Sequence, residues 1–131
     1  MTIRNIAVVG AGIGGLSAAL ALARRGFKVQ VNEQASALGE IGAGIHLSPN
    51  GNKVLYALGL RAALAAVAAP PQAISTRHYA TGVPNFEGPL DAAFESRFGA
   101  PFHSFHRADL HGALAAALTP LSTVTITLNA R

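Results

Sequence analysis

The sequence of 131 residues contains no cysteine. This absence excludes disulfides, thiolate metal sites and a cysteine nucleophile, and it suits a reducing compartment. Long apolar runs are also lacking, since none reaches the roughly 18 uninterrupted apolar residues of a membrane-spanning helix. Residues 1–6 have none of the basic, apolar and cleavage regions of a signal peptide. We therefore expect a soluble, cytoplasmic protein that has no membrane partner.

Charged residues are scarce, at 12% of the chain, whereas half of the residues are apolar. This composition indicates a globular domain rather than a disordered chain. Ten Lys and Arg against six Asp and Glu give a net charge of +4. The cations are dispersed along the sequence, so we expect no nucleic-acid partner. A mild positive charge suits small anionic ligands, such as a pyrophosphate or an aromatic carboxylate.

The beginning of the chain predicts a strand, a helix and a second strand. An apolar run over residues 6–9 indicates a buried parallel strand, and apolar residues at helical spacing over 13–23 indicate a helix. Val29 and Val31 alternate with polar residues and indicate a second strand that ends at Glu33. This order of elements is a βαβ unit.

The remainder predicts a long excursion and a return to the sheet. Glycine-rich residues 34–47 are expected to form a loop, and the Ser-Pro pair that follows indicates a helix start. Residues 81–101 are expected to be mostly loop, with a turn of helix near 91–98. Periodic leucines after residue 107 predict a helix, and alternation over 124–128 predicts a last strand. The chain should therefore form an α/β domain with a parallel sheet.

Residues 10–15, Gly-Ala-Gly-Ile-Gly-Gly, fit the pattern G-x-G-x-x-G between the first strand and the helix. Gly10 permits a tight turn, Gly12 allows a pyrophosphate to approach the backbone, and Gly15 allows the helix to pack close to the strand. Ile13 and Gly14 lie at the start of the helix, where free N–H groups and the helix dipole face an anion. The pattern predicts a Rossmann-like dinucleotide site.

Glu33 supplies the acid that such a site needs. It lies 18 residues after Gly15 (33 − 15), near the spacing of about 20 expected for the carboxylate that binds ribose hydroxyls. Gln34 follows it directly. These residues fit FAD and NAD equally well.

Two further segments carry a resemblance to a family. Residues 42–50 read Gly-Ala-Gly-Ile-His-Leu-Ser-Pro-Asn, and residues 106–110 read His-Arg-Ala-Asp-Leu. Together with the glycine loop and the Glu33-Gln34 strand end, and in the same order, they resemble the single-component FAD-dependent aromatic hydroxylases. That family includes salicylate, 3-hydroxybenzoate and 6-hydroxynicotinate hydroxylases. The resemblance covers nearly the whole chain.

The resemblance implies FAD as the cofactor and NADH or NADPH as the co-substrate. It also implies O₂ and a small aromatic substrate, such as a hydroxylated aromatic acid, whose ring receives one oxygen atom. The chain would be the N-terminal part of a single FAD-binding domain over 1–131, with a dinucleotide-binding unit at 1–33. Residues 34–106 would form an excursion toward the substrate side, and 107–131 a helix and a return strand.

The resemblance also implies roles for two residues outside the glycine loop. Arg107 would contact the flavin cofactor away from the adenine, as a cation suited to a pyrophosphate or flavin oxygen. His46 would lie beside the flavin, at a position that is histidine in hydroxynicotinate-type members and often glutamine in salicylate-type members. It would either remove a proton from a ring hydroxyl as a base or only hydrogen-bond FAD or the backbone.

Three other histidines do not predict a metal site. His103 and His106 point to opposite faces of a predicted strand, and His111 lies on the next helix. No carboxylate completes a ligand set. The sequence also lacks a G-x-S-x-G or P-loop pattern, so hydrolysis by a triad and kinase chemistry have no support.

The sequence departs from the family in two respects. Asn32 stands where relatives usually have an apolar residue, which predicts a partly open sheet face. The chain is also much shorter than family members, so we expect a fragment with an exposed apolar surface that favours homo-oligomers. A non-catalytic remnant or nucleotide-binding module is therefore an alternative. An NAD-binding dehydrogenase domain is a third, against which residues 42–50 and 106–110 argue.

Overall fold

The computed structural model describes residues 5–39 and 42–130. Along the chain these residues form β1 (Asn5–Val9), α1 (Ile13–Ala23), β2 (Lys28–Asn32), β3 (Gly44–Leu47), α2 (Pro49–Ala57), α3 (Arg61–Ala65), β4 (Ala73–Arg77), β5 (Pro84–Pro89), α4 (Ala92–Phe98), β6 (His103–His106), α5 (Arg107–Leu118) and β7 (Val124–Thr127).

A three-stranded parallel sheet forms the centre of the fold, in the order β1-β2-β7. Val29 and Val31 alternate with polar residues along β2 and are buried against α1 and α5, which cover one face of the sheet. Leucines at helical spacing supply the other side of this core: Leu16, Leu20, Leu110, Leu114 and Leu118. The predicted α/β fold, the βαβ unit and the return strand are confirmed.

The opposite face of the sheet is open within the described residues. Lys28 and Gln30 are exposed on it, and the side chain of Asn32 is half-buried there and accepts a hydrogen bond from Gln30 Nε2 at 3.2 Å. This confirms the partly open face predicted from Asn32. The prediction of a buried first strand is wrong, because β1 is an edge strand and Val9 is 89% exposed.

The excursion contains two antiparallel strand pairs, and in each pair one strand lies where the sequence predicts a loop. β3 pairs with β6 in antiparallel register, so residues 44–47 are a strand and not the predicted loop. β5 lies inside the predicted loop at 81–101 and forms an exposed antiparallel hairpin with β4. In the same stretch α4 confirms the predicted helical turn, and the Asp91 carboxylate caps it by accepting from Phe94 N–H at 3.0 Å.

Candidate nucleotide-binding site

The glycine loop turns the chain from β1 into α1 within three residues. Gly10 has φ +92°, in the left-handed region that side chains other than glycine's rarely tolerate. Its N–H donates to the Asn32 carbonyl at 2.8 Å, which joins the start of the turn to the end of β2. Gly12 is extended and forms the N-cap of α1. The predicted tight turn at Gly10 is therefore confirmed.

Gly15 allows α1 to lie almost in contact with the turn. A Cβ atom on Gly15 would be 1.9 Å from the Gly10 carbonyl oxygen, a distance at which no side chain fits. A Cβ on Gly14 would meet nothing within 4 Å. The predicted close approach of helix and strand is thus confirmed at Gly15, and it places the first N–H groups of α1 beside the end of β1.

The Glu33 carboxylate ties the glycine loop to the segment after β2. Its Oε2 accepts from Ala11 N–H at 2.6 Å and its Oε1 accepts from Ala35 N–H at 2.8 Å. These two hydrogen bonds, the one from Ala11 first, hold the pKa of the Glu33 carboxyl below its usual value. The group therefore stays ionised, and each oxygen retains a lone pair for a further donor such as a ribose hydroxyl.

A cavity of about 600 Å³ opens at the carboxyl ends of the parallel strands. Ligands of open α/β sheets bind at this edge. The lining residues are Val9, Gly10, Asn32, Glu33, Gln34 and Ala130. Three of them were predicted from the sequence. The other three were not identified from the sequence. Val9 and Asn32 could have been found, because they are the last residues of their strands. Ala130 is brought to the cavity by its N–H, which donates to the Glu33 carbonyl at 2.9 Å.

His111 forms a hydrogen bond with the backbone of the glycine loop, a role that was not predicted from the sequence. It is 3% exposed, and its Nε2 lies 2.7 Å from the Ala11 carbonyl oxygen. A carbonyl only accepts, so Nε2 carries the proton and donates. The sequence signal that could have indicated a buried role is the position of His111 directly after Leu110, on the buried face of α5.

The pairing of β3 with β6 brings together the two segments that carry the family resemblance. His46 lies opposite Ser104, with Nδ1 and Oγ 2.9 Å apart, and its exposed ring is 5.7 Å from the Phe102 ring centroid. Arg107 begins α5, and its N–H donates to the Ala43 carbonyl at 3.2 Å.

Gly42 lies against this junction, because a Cβ on it would be 2.8 Å from His106 Cε1. Glu40 and Ile41, in the same glycine-rich stretch, lie outside the described residues. His46 and Arg107 are not among the residues that line the cavity at the end of the parallel strands. The predicted site residues thus form two groups, one at the glycine loop and one at the start of α5.

Across 5–39 and 42–130, no three His, Asp or Glu side chains are grouped so that they could hold a metal ion. No helix in the part of the chain that the structure describes is both long and apolar enough to cross a membrane.

The proteins that this chain resembles include monooxygenases that act on small aromatic acids. The profile of the NAD(P)-binding Rossmann-like domain matches residues 8–65. A 3-amino-4-hydroxybenzoate 2-monooxygenase of Streptomyces cremeus is 49% identical over 120 residues, which are 92% of this chain and 30% of the relative. A 6-hydroxynicotinate 3-monooxygenase of Pseudomonas fluorescens is 42% identical over 114 residues, or 87% of this chain and 30% of the relative.

The fold of this chain also resembles that of a solved structure. The crystal structure of Klebsiella pneumoniae HpxO complexed with FAD and uric acid superposes with a TM-score of 0.73 at 30% identity, covering 94% of this chain and 30% of that one. The chain therefore spans about a third of the length of the relatives it matches, in each case their N-terminal portion.

Proposed function

From its relationship to the N-terminal portion of flavin-dependent aromatic hydroxylases, we propose that this chain is the FAD-binding part of such an enzyme. Residues 1–131 would be the N-terminal part of a single FAD-binding domain, with the dinucleotide-binding unit at 1–33. Residues 34–106 would form the excursion toward the substrate side, and 107–131 the helix and return strand.

The observation that carries this proposal is the meeting of the glycine loop, Glu33 and the cavity at one edge of the sheet. The ionised Glu33 would accept hydrogen bonds from the ribose hydroxyls of the ADP half of FAD. Gln34 lines the same cavity and would contact the adenosine. The backbone N–H groups of Gly12, Ile13 and Gly14, at the positive end of α1, would face the pyrophosphate.

Arg107 and His46 would serve the flavin end of the cofactor. Arg107 is exposed at the start of α5, an unfavourable place for a cation beside the positive end of a helix. An anionic oxygen of the cofactor would be a favourable partner for a guanidinium at this position. The other group of site residues lies at the glycine loop and includes Gly10, Gly15 and Glu33. FAD would extend from one group to the other.

The contact between His46 and Ser104 supports a role for His46 as a general base. If Nδ1–H donates to Ser104 Oγ across the 2.9 Å contact, Nε2 is left free to accept a proton. Removing the proton of a ring hydroxyl would make an aromatic ring more electron-rich and more reactive toward an electrophilic oxygen. We propose that His46 performs this step. The alternative, in which His46 only hydrogen-bonds FAD or the backbone, predicts a loss of FAD content on its removal.

The reaction would be hydroxylation of a small aromatic acid that carries a ring hydroxyl. FAD, reduced by NADH or NADPH, supplies the oxygen-activating chemistry, and O₂ supplies the transferred atom. The names of the two relatives support this substrate class, since 3-amino-4-hydroxybenzoate and 6-hydroxynicotinate each combine a carboxylate with a ring hydroxyl. The net charge of +4 would favour such an anion.

Self-association through exposed apolar side chains is part of the proposal. Val9 is 89% exposed, Tyr79 96% and Phe86 58%, and burial of such apolar side chains between two copies of the chain would favour association. We also propose a cytoplasmic location, with which a cysteine-free chain is compatible.

Calorimetric titration of the purified chain with FAD and, separately, with NAD⁺ tests the cofactor assignment. We expect saturable binding of one FAD per chain and at least about tenfold weaker binding of NAD⁺, a difference of about 1.4 kcal/mol. Tighter binding of NAD⁺ than of FAD by the folded chain would favour a dehydrogenase-type domain and overturn the proposal.

A further inference from the structure

The carbonyl and the N–H of Ala11 are held by partners from two distant parts of the chain. Ala11 N–H donates to Glu33 Oε2 at 2.6 Å, and the Ala11 carbonyl accepts from His111 Nε2 at 2.7 Å. Ala11 and His111 are 2% and 3% exposed. The contact with His111 therefore forms in a buried environment, where an unmade hydrogen bond is costly.

Each of these bonds fixes a different peptide unit of the glycine loop. In a planar trans peptide the C=O and the N–H point in opposite directions. The unit before Ala11 has its N–H on Glu33 and its carbonyl, that of Gly10, directed toward Gly15, where it would meet an added Cβ at 1.9 Å. The unit after Ala11 has its carbonyl on His111, so the N–H of Gly12 points away from His111.

We infer that His111 is a positioning residue of the nucleotide site, which holds the Ala11 carbonyl inward and thereby aims the Gly12 N–H at the incoming pyrophosphate. This inference rests on the proposed function, in which Gly12 lies where the pyrophosphate approaches. Glycines flank Ala11 on both sides, and glycine has the largest conformational freedom of any residue. Without the hydrogen bond from His111, the second peptide unit is free to rotate, and the free loop must be reordered when the ligand binds.

The position of His111 on α5 connects the two groups of site residues. His111 follows Arg107 by four residues, about one helical turn, so both side chains project from the same side of α5. One helix thus carries the cation proposed for the flavin end and the donor that orders the loop at the ADP end. Sliding or rotation of α5 would disturb both ends together.

Two substitutions at His111 separate the hydrogen bond from the volume of the ring. His111→Phe keeps a ring without a donor, whereas His111→Gln keeps an N–H donor at a comparable reach. Leu118→Ala is the matched control, because Leu118 is buried on α5 (2% exposed) and lies about two turns beyond His111. The dissociation constant for FAD is measured for each folded protein, with the exchange rate of the Ala11 amide and the nitrogen chemical shift of Gly12.

We expect His111→Phe to weaken FAD binding about tenfold and to shift the Gly12 nitrogen, while the Ala11 amide, which Glu33 holds, exchanges as in the wild type. His111→Gln should restore most of the affinity, and Leu118→Ala should lower stability while leaving the affinity unchanged. Unchanged affinity and an unchanged Gly12 signal in His111→Phe would overturn the inference, as would equal weakening in His111→Phe and Leu118→Ala. If the wild-type chain binds no FAD, the proposed function fails, and the Gly12 signal alone decides whether His111 orders the loop.

Discussion

The Gly10 carbonyl oxygen occupies the space into which a side chain on Gly15 would project, at 1.9 Å from the Cβ position. Two backbones are in contact at this point, so neither can yield by a change of rotamer. The glycine at position 15 is therefore required by packing within the protein, independently of any ligand.

Replacement of Gly15 by alanine should destabilise the fold severely. We expect Gly15→Ala to lower the free energy of unfolding by about 3 kcal/mol or more, because α1 must move off the turn. Gly14→Ala is the matched control, since its Cβ meets nothing within 4 Å, and it should be neutral or stabilising by up to about 1 kcal/mol. Urea denaturation measures both. Equal stability of the two variants would contradict the packing described for Gly15.

Acid should weaken the fold through Glu33. Its folded-state pKa lies below the ordinary 4.5 because Ala11 N–H and Ala35 N–H donate to the carboxylate. A lowered folded-state pKa gives stability that is present above the unfolded value and is lost as the pH falls through the folded value. Glu33→Gln should therefore lower stability at pH 7 and flatten its decline below about pH 4.5.

Glu87, an exposed residue of the β4–β5 hairpin, provides the control for this pH dependence. Glu87→Gln should leave the acid limb of the stability curve as in the wild type. An acid limb that is the same in Glu33→Gln and in the wild type would show that the carboxylate bonds to the loop contribute nothing.

Removal of the His46 imidazole should slow hydroxylation without loss of cofactor. If the proposed function holds, His46→Ala in a full-length enzyme that carries this chain as its N-terminal region should reduce turnover by at least about 100-fold, the lower end of what a general base contributes. FAD content, measured by absorbance after denaturation, should stay near that of the wild type. Normal turnover in His46→Ala, or a proportional loss of FAD, would refute the base assignment.

Ser104 should affect the same reaction through His46. Ser104→Ala removes the hydroxyl 2.9 Å from Nδ1 and should lower turnover and change the tautomer of His46, as read from its ring nitrogen chemical shifts. Ser104→Thr keeps the hydroxyl and should restore both. An unaltered tautomer in Ser104→Ala would mean that the contact does not orient the imidazole.

Polar replacement of the exposed hairpin aromatics should reduce self-association. Tyr79 and Phe86 are 96% and 58% exposed, and we expect the double variant Tyr79→Ser, Phe86→Ser to shift the sedimentation profile toward the monomer. A wild-type chain that is already monomeric at high concentration would contradict this expectation.

Local patterns predicted the elements that depend on neighbours in sequence. The turn at Gly10, the buried Val29 and Val31 of β2, and the leucines of α5 follow from glycine conformational freedom and from strand and helix periodicity. The parallel return of β7 followed from the βαβ order of the elements.

The features that the sequence did not reveal depend on distant partners. β3 was missed because its strand character comes from β6, whose Ser104 lies opposite His46, 58 residues away. His111 was missed because its partner, the Ala11 carbonyl, is 100 residues earlier in the chain. β1 was expected to be buried because an apolar run does not reveal how many faces of a strand are covered.

Amide NMR spectra of the isotope-labelled chain, recorded during FAD titration, test the central claim most directly. The cavity at the strand ends near Gly10 and Glu33 is the proposed site, and a second cavity of about 460 Å³ near Lys28 and Gln30 is the alternative that the spectra test. We predict large shifts for residues 10–15 and 33–34 and small ones for Lys28, Gln30 and Thr125. Shifts concentrated on the open face, with the glycine loop unaffected, would contradict the account.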